Sequence, residues 1–391
     1  MLDAKFEPND VTLVVSTCHR GSVGLQSYTT SNSRTISGWT NVRVSRGIDR
    51  CPSDFEVSFT EPYEDVDSVL VQPGDECEVY FGTDLILSGF VDRYLPSFNA
   101  NEHIIRITGR NKCQDLVDCA AFWPNGQMLN LTVLQIAKNL CGAYGITVNM
   151  AVGTNLGAAI AQQNVMAGET SYDILERLCR YRGLLLYDQP DGSLLIASGG
   201  TQPGSSVAAP IGTRTAASGF KQGVNVQSAS AMFGMDQRFS NYDALYQGLD
   251  TLKDIGQGGN LISHVADGTV PRFRYRVIVS ENVAGGPIVA EQRVNWEMAS
   301  RYGRSFQVRL TTDTWRDSAG KLFEPNVLVP IDLPGLKLST RTWLISDVTY
   351  KRSESGTTAD LTIMPPEAFY QEPIILNPIS PDIATVSNAN Q

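Results

Sequence analysis

Short runs of alternating apolar and polar residues fill the chain from Arg46 to Ala121, as in VQPGDECEVYFGTDLILSGFVDRYLPSFNANEHIIRITGR. Pro-Gly, Gly-Thr and Asn-Ala-Asn signals cut these runs into pieces of strand length. That punctuation predicts a small, strongly bent antiparallel sheet or barrel. The plan returns between Ser305 and Pro366. Phe55–Thr60 (FEVSFT) is matched by Phe306–Thr311 (FQVRLT), and the turn Val71-Gln72-Pro73-Gly74 by Phe323-Glu324-Pro325-Asn326. Gly89–Asp92 answers Ile345–Val348, and Ile104–Ile107 answers Asp360–Ile363. The matched spacing predicts two copies of one barrel in a single chain.

Outside these stretches the pattern changes. Val11–Val15 reads as a strand, a polar Ser/Thr/Gly stretch follows to Ser37, and Trp39–Ser45 alternates into the first barrel. The apolar stripe Leu131, Leu134, Ile136, Ala137, Leu140 and Cys141 predicts a helix to Tyr144 with Thr132 as N-cap. A second helix is predicted over Ser171–Arg182, capped by Thr170 or Ser171, with Ile174, Leu175 and Leu178 inward. A hairpin follows, Leu184–Tyr187 and Ser193–Ala197, turning on Asp191-Gly192. Residues 199–218 read as a linker or long loop by composition. Val224–Ala229 opens the second barrel, and an insertion then brings a Gly-rich loop at 256–260, a strand over Phe273–Val279 and a helix over Val289–Tyr302. Beyond Pro366 the prolines at 373, 378 and 381 predict an extended tail.

The chain is thus expected to be α+β but β-dominated, with two similar antiparallel β-barrel domains and two smaller α+β domains. The expected division is an N-terminal strand region with the first barrel (1–123) and a small α+β domain (124–207). The second barrel (208–246 and 305–370) is interrupted by an inserted α+β domain (247–304), and a tail (371–391) follows.

Composition agrees: 391 residues exceed one ordinary domain, and 42% apolar with 18% charged residues are globular values. A net charge of −10 counts against a surface held to nucleic acid by phosphate contacts. Arg272, Arg274 and Arg276 alternate on one strand but stand alone. No apolar run approaches membrane-helix length, and MLDAKFEPND lacks the form of a signal peptide, so no membrane anchor and a cytoplasmic origin are expected. Seven cysteines, an odd number without any CxxC, read as buried free thiols.

Candidate chemistry is sparse. His19, His103 and His264 lie in no metal-ligand spacing, and no GxSxG elbow or P-loop occurs. Glu61, Glu64, Asp65 and Asp67 cluster in TEPYEDVDS, which reads as a solvated loop, and Asp115 and Asp118 follow a strand in NKCQDLVDCA, where one of the two reads as the cap of the next turn. Trp39, Trp123, Trp296, Trp315 and Trp343 fall on separate elements, as core residues do. Neither a catalytic residue, a metal site nor a cofactor is expected.

The chain resembles the baseplate hub proteins of Mu-like contractile-tailed phages over about residues 39–370. The resemblance rests on WTNVRVSRGIDRCPSDFEVSFTEP, VQPGDECEVYFGTDLILSGFVDRY, ITGRNKCQDLVDCAA, GETSYDILERLCRYRGLLLYDQPDGSLLI, VPRFRYRVIVSE, EPNVLVPIDLPGL and LTIMPPEAF, in that order. It implies a non-enzymatic structural protein of the virion tail baseplate, assembled in the host cytoplasm. The implied assembly is a homotrimer whose two barrels per chain form a pseudo-sixfold ring. Its implied partners are a central spike protein, a tail tube or tube-initiator protein and neighbouring baseplate proteins. DNA would pass through the lumen without specific binding. Phe369, Tyr370, Ile374, Ile375 and Leu376 stand as candidate partner-binding residues at the start of the tail. The rival readings are a β-rich tail-tip hydrolase, which needs an acid/base set, and a trimeric receptor-binding protein, which would carry short repeats or a heptad run.

Overall fold

The strand β3 (Asn41–Gly47), near the N-terminus, and the strand β20 (Leu338–Ser353), near the C-terminus, lie side by side and weld two barrels into one sheet path. The computed structural model describes residues 9–20, 28–60, 71–100, 102–124, 126–152, 154, 156–157, 159–182, 184–198, 214–247, 260–280, 287–354 and 356–369. The first barrel comprises β1 (Val11–Arg20), β2 (Tyr28–Ile36), β3, β4 (Asp54–Phe59), β5 (Glu76–Phe81), β6 (Asp84–Phe98) and β7 (His103–Asn111). They are joined in the order β3-β4-β7-β6-β5-β1-β2. The second comprises β14 (Val226–Phe233), β18 (Phe306–Thr312), β19 (Leu328–Leu333), β20 and β21 (Gly356–Met364), in the order β14-β18-β21-β20-β19. A short β13 (Phe220–Lys221) runs parallel to β19.

Over five strands the two orders are the same, β3-β4-β7-β6-β5 matching β14-β18-β21-β20-β19. In the first barrel Val44 pairs with Phe55, Phe55 with Gly109, and Gly109 with Val91. In the second Ala231 pairs with Val308, Val308 with Ile363, and Ile363 with Ile345. A register shift follows at once in both long strands, between Val91 and Arg93 and between Ile345 and Asp347. Phe55 therefore corresponds to Val308, two positions from the match to Phe306 expected from the sequence. A slip of two residues keeps every side chain on its own face, so alternation alone cannot detect it.

Inward residues of both barrels form one continuous core, including Leu13, Val57, Phe81 and Ile107 from the first and Leu310, Val329, Ile345 and Leu361 from the second. Each large side chain so buried stabilises the fold by about 1.5–3 kcal/mol. At the weld Asp347–Arg352 of β20 pair with Val42–Gly47 of β3. Phe81 of the first barrel stacks on Trp315 of the second with ring centroids 4.2 Å apart, and Tyr350 meets both rings edge-on. Arg316 reaches across to Asp84 (2.5 Å) and to the Phe81 carbonyl (3.1 Å).

The polar stretch before Ser37, to which the sequence reading gave no element, is the edge strand β2, paired with β1 from Tyr28 to Ile36. Its solvent-facing Thr and Ser residues suit an edge strand.

The small α+β unit contains α1 (Gln114–Asp118), β8 (Gln127–Leu131), α2 (Val133–Gly142), β9 (Val148–Met150), β10 (Ile160–Asn164), α3 (Ser171–Arg182), β11 (Leu184–Asp188) and β12 (Leu194–Ser198). Thr132 caps α2 in a reciprocal box with Gln135, its hydroxyl accepting from the Gln135 amide. Thr170 caps α3 by accepting from the Asp173 amide (3.1 Å). Ile174, Leu175 and Leu178 are buried against this unit's own core. Cys113 and Leu116 belong to the same core, and Ala121 and Trp123 pack against it. Residues 113–123 thus pack with the small unit and not with the first barrel, to which the sequence reading assigned them. The reason is that α1 turns its apolar side away from the barrel.

The insertion builds the sheet β16-β15-β17 from β15 (Asn241–Gln247), β16 (Asn260–Ala266) and β17 (Tyr275–Ser280), backed by α4 (Pro287–Arg304). Tyr242 and Ala244 of β15, Ile278 of β17 and Val294 of α4 form its core. Residues 241–246 therefore belong to the inserted sheet, a correction to the boundary at 246/247, because their period-2 burial is satisfied only against α4. Pro366–Phe369 form a 3-10 turn, not an extended tail, with Ala368 and Phe369 buried. They pack beside Ile48, Leu185, Tyr187, Leu328 and Leu344 at the junction of the barrels and the small unit.

One buried carboxylate organises the loop between β18 and β19. Asp317 accepts from the amides of Ala217, Ala319 and Lys321, each at 3.0 Å. Burial pushes its carboxyl up, but these amides and the Arg214 guanidinium outweigh that and hold it below the usual carboxylate value. A depressed carboxylate stabilises the fold above its unfolded pKa, and that contribution is lost as pH falls through the folded value. Asp317→Ala is expected to lower stability by about 2 kcal/mol at pH 7, since three part-buried amide donors lose their acceptor. The deficit should shrink below about pH 4, near the unfolded carboxylate value. Denaturant titrations of parent and variant at pH 7 and pH 3 test this, and an equal deficit at both would refute the assignment.

Candidate functional site

The structure disperses the residues that sequence singles out for chemistry. His19 lies on β1 within 2.8 Å of Ser31 Oγ, His103 opens β7, and His264 on β16 sits 2.5 Å from Asp243. Among the described residues no group of three His, Cys, Asp or Glu side chains could hold a metal ion. The cluster Glu61, Glu64, Asp65 and Asp67 lies outside the described residues, as do Tyr370, Ile374, Ile375 and Leu376. Phe369, grouped with them, is turned inward at 4% exposure.

Asp118 pairs with Arg110, which also holds Asp92, both at 2.7 Å. Burial raises the neighbouring Asp115 carboxyl, and the Asp118 charge adds to it. Arg110 of β7 thus links Asp118, at the end of α1, to Asp92 on β6. Cys77, Cys113, Cys141 and Cys179 are buried free thiols. Burial pushes Cys179 up to about 12, far from the thiolate a nucleophile needs. Arg276 of β17 and Arg301 of α4 both engage Glu297 on α4, at 2.9 and 2.6 Å, so the one arginine of β17 has a partner in its own chain.

A cleft of about 740 Å³ opens between the Ile48–Asp49 turn, α3 with β11, and α4. Its wall carries both signs of charge, with Asp49, Glu176 and Glu297 facing Arg180, Arg301 and Arg304. Desolvation raises the Asp49 carboxyl, and the Arg304 charge opposes that rise. Cys179, the thiol on its wall, is the protonated one described above. The cleft joins three units and brings no nucleophile together with a base.

The open surfaces are apolar strand edges. The outer half of β6 and its hairpin expose Leu95 at 44%, Phe98 at 88% and Ile104 at 36%. β14 exposes Met232 and Phe233 at about half their area. β17 shows Tyr275, Val277 and Val279 on the face away from α4. Sequence alternation predicts these positions as strand, but it does not separate a side chain facing a barrel interior from one facing a neighbouring subunit. Large solvent-facing apolar groups of this kind mark contact surfaces. Among the described residues no helix is long and apolar enough to cross a membrane.

Three family models match the chain in succession. Residues 30–111 match the Mu phage baseplate assembly protein GpP-like N-terminal model. Residues 113–198 match the second domain of baseplate hub protein gp44-like proteins. Residues 286–372 match the fourth domain of Mu phage baseplate assembly protein GpP. The baseplate hub protein gp44 of Escherichia phage Mu is 27% identical over 350 residues, 87% of each chain. The 43 kDa tail protein of prophage MuSo2 from Shewanella oneidensis is 27% identical, with a TM-score of 0.73 over 92% of this chain and 99% of that one. A tail protein from Neisseria meningitidis MC58 shares the fold, at 18% identity and a TM-score of 0.66, over 91% of this chain and 99% of that one. The matched stretches come in one order along nearly the full length of these relatives, and with two like barrels they establish the resemblance: the chain is a relative of the baseplate hub proteins of Mu-like phage tails.

Proposed function

We propose that the chain is a structural hub of a contractile tail baseplate, a homotrimer that adapts the threefold symmetry of a central spike to the sixfold symmetry of the tail tube. The observation that carries this reading is the repeated strand order of two barrels welded through β3 and β20. Two like barrels in each of three chains offer six similar faces to one neighbour and three identical units to another. The small unit and the insertion stand beside the barrel pair and suit contacts with spike and other baseplate proteins. The segment Ile374-Ile375-Leu376, set between prolines, suits docking onto such a partner. The acidic balance suits a lumen through which DNA slides without adhering.

No residue set described above supports catalysis, and the hub acts by shape. Light scattering on the purified protein is expected to give about three times 42.6 kDa. A stable dimer or tetramer would overturn the adapter.

A further inference from the structure

Among the described residues, the contact that welds the two barrels within a chain has an unfilled counterpart on each barrel. Inside the chain, the Leu328–Ile331 ladder of β19 covers β20 back to Leu344, and beyond the bulge Asp347–Arg352 take β3 as neighbour. There Thr349 lies opposite Ser45, Tyr350 opposite Val44 and Lys351 opposite Arg43. The first barrel's long strand is built alike. β5 covers β6 as far as Phe90, a bulge follows Val91, and Arg93–Phe98 carry β7 along one side. Among the described residues no strand lies along their other side. β14, the counterpart of β3, pairs with β18 alone among the described strands, apart from an isolated bridge at Val226.

Burial separates the filled edge from the empty one. Five of the seven β3 residues are buried, while none of the eight β14 residues is. The open edges carry apolar groups that single chains rarely leave in water: Leu95 and Phe98 on β6, Met232 and Phe233 on β14.

We infer that β14 of one copy pairs antiparallel with the Arg93–Phe98 edge of β6 in a second copy, in the register that β3 and β20 use within the chain. Carrying that register over sets Leu95 opposite Met232, Pro96 opposite Ala231, Ser97 opposite Ser230, and Phe98 opposite Ala229. The exposed Leu95 of one edge then faces the exposed Met232 of the other, and Phe98 lies over the half-buried Ala229. Pro96 brings no N–H, so the ladder lacks one bond there, and the same proline guards the lone edge against indiscriminate pairing. Each copy offers one edge of each kind, so the contact is heterologous and closes into a ring when its rotation divides a full turn. The inference deepens the trimer reading and rests on it.

Mixing a Ser97→Cys chain with a Ser230→Cys chain under mild oxidation tests the register, since directly opposed Cβ atoms lie about 4.5–5.5 Å apart. Both serines are exposed, so neither change disturbs the core. The expected result is a covalent dimer in the mixture and in neither chain alone, the single chains also controlling for the native thiols. A chain carrying both cysteines should give covalent species up to three chains and no larger. Ser97→Cys mixed with Ser228→Cys, two positions out of register, should cross-link far less. Met232→Asp should reduce the scattering mass to one chain with its circular dichroism unchanged. If light scattering gives three chains but the mixture forms no dimer, or Met232→Asp stays trimeric, the edge pairing is wrong and the trimer stands. If the parent itself scatters as one, two or four chains, the trimer reading fails with it.

Discussion

Trp315→Ala is expected to lower the stability of the barrel pair by about 4 kcal/mol, within the range for deleting a fully buried indole. Trp315 has no solvent exposure, and its Nε1 donates to the Thr358 carbonyl at 2.7 Å. It belongs to the loop after β18 in the second barrel, yet it stacks on Phe81 at the end of β5 in the first. The truncation therefore removes packing from both barrels at once and leaves a cavity at their weld. The Thr358 carbonyl also loses its donor. A Phe81→Ala change should lose part of the same energy, so the double variant should fall short of the sum by about 0.5–1.5 kcal/mol, the extra value of an aromatic pair. Denaturant midpoints of the parent, the two single variants and the double variant measure this cycle. Strict additivity would show that the barrels do not share this contact energetically.

Gly303→Ala is expected to destabilise the protein by about 2 kcal/mol, although alanine is the better helix former by about 1 kcal/mol. The sign is set by space. A Cβ at Gly303, near the end of α4, would stand 2.0 Å from the Ala368 nitrogen and 2.5 Å from the Glu367 carbonyl carbon. Those atoms are backbone, so the clash cannot be relieved by turning a side chain. The Pro366–Phe369 turn would have to move, and Ala368 and Phe369 with it, out of the junction they fill beside Ile48, Leu185 and Leu344. Gly142, at the end of α2, is the control, because a Cβ there meets nothing within 4 Å. Gly142→Ala should be neutral or stabilising, and thermal melts of the two variants should move in opposite directions. Parallel shifts would show that α4 does not hold the turn by close approach.

Local signals carried much of this in plain view. The Thr132–Gln135 box and the Thr170 cap mark two helix starts because each satisfies amides within three residues of itself, whatever the rest of the chain does. Apolar alternation placed the barrel strands for a similar reason, since a half-buried strand needs period two. The candidate interface was less legible. Leu95 and Met232 sit in alternating strands just as buried residues do, and only the strand neighbours in space show that no described strand lies along their open side. Phe369 erred the other way, since its place between prolines suggested a tail while it completes an internal junction.

By itself, then, the sequence determined the strand and helix types and the repetition of one barrel plan, because these depend on periodicity and short-range chemistry. Tertiary structure alone decided register and membership. The two-residue offset between Phe55 and Val308 is invisible to a period-two pattern, since both registers keep the same face inward. Residues 113–123 and 241–247 joined their units through cores built with distant segments. The weld itself sets Val44 against Tyr350, far apart along the chain. Such pairing is decided by the mutual fit of two finished barrels, and no local stretch encodes it.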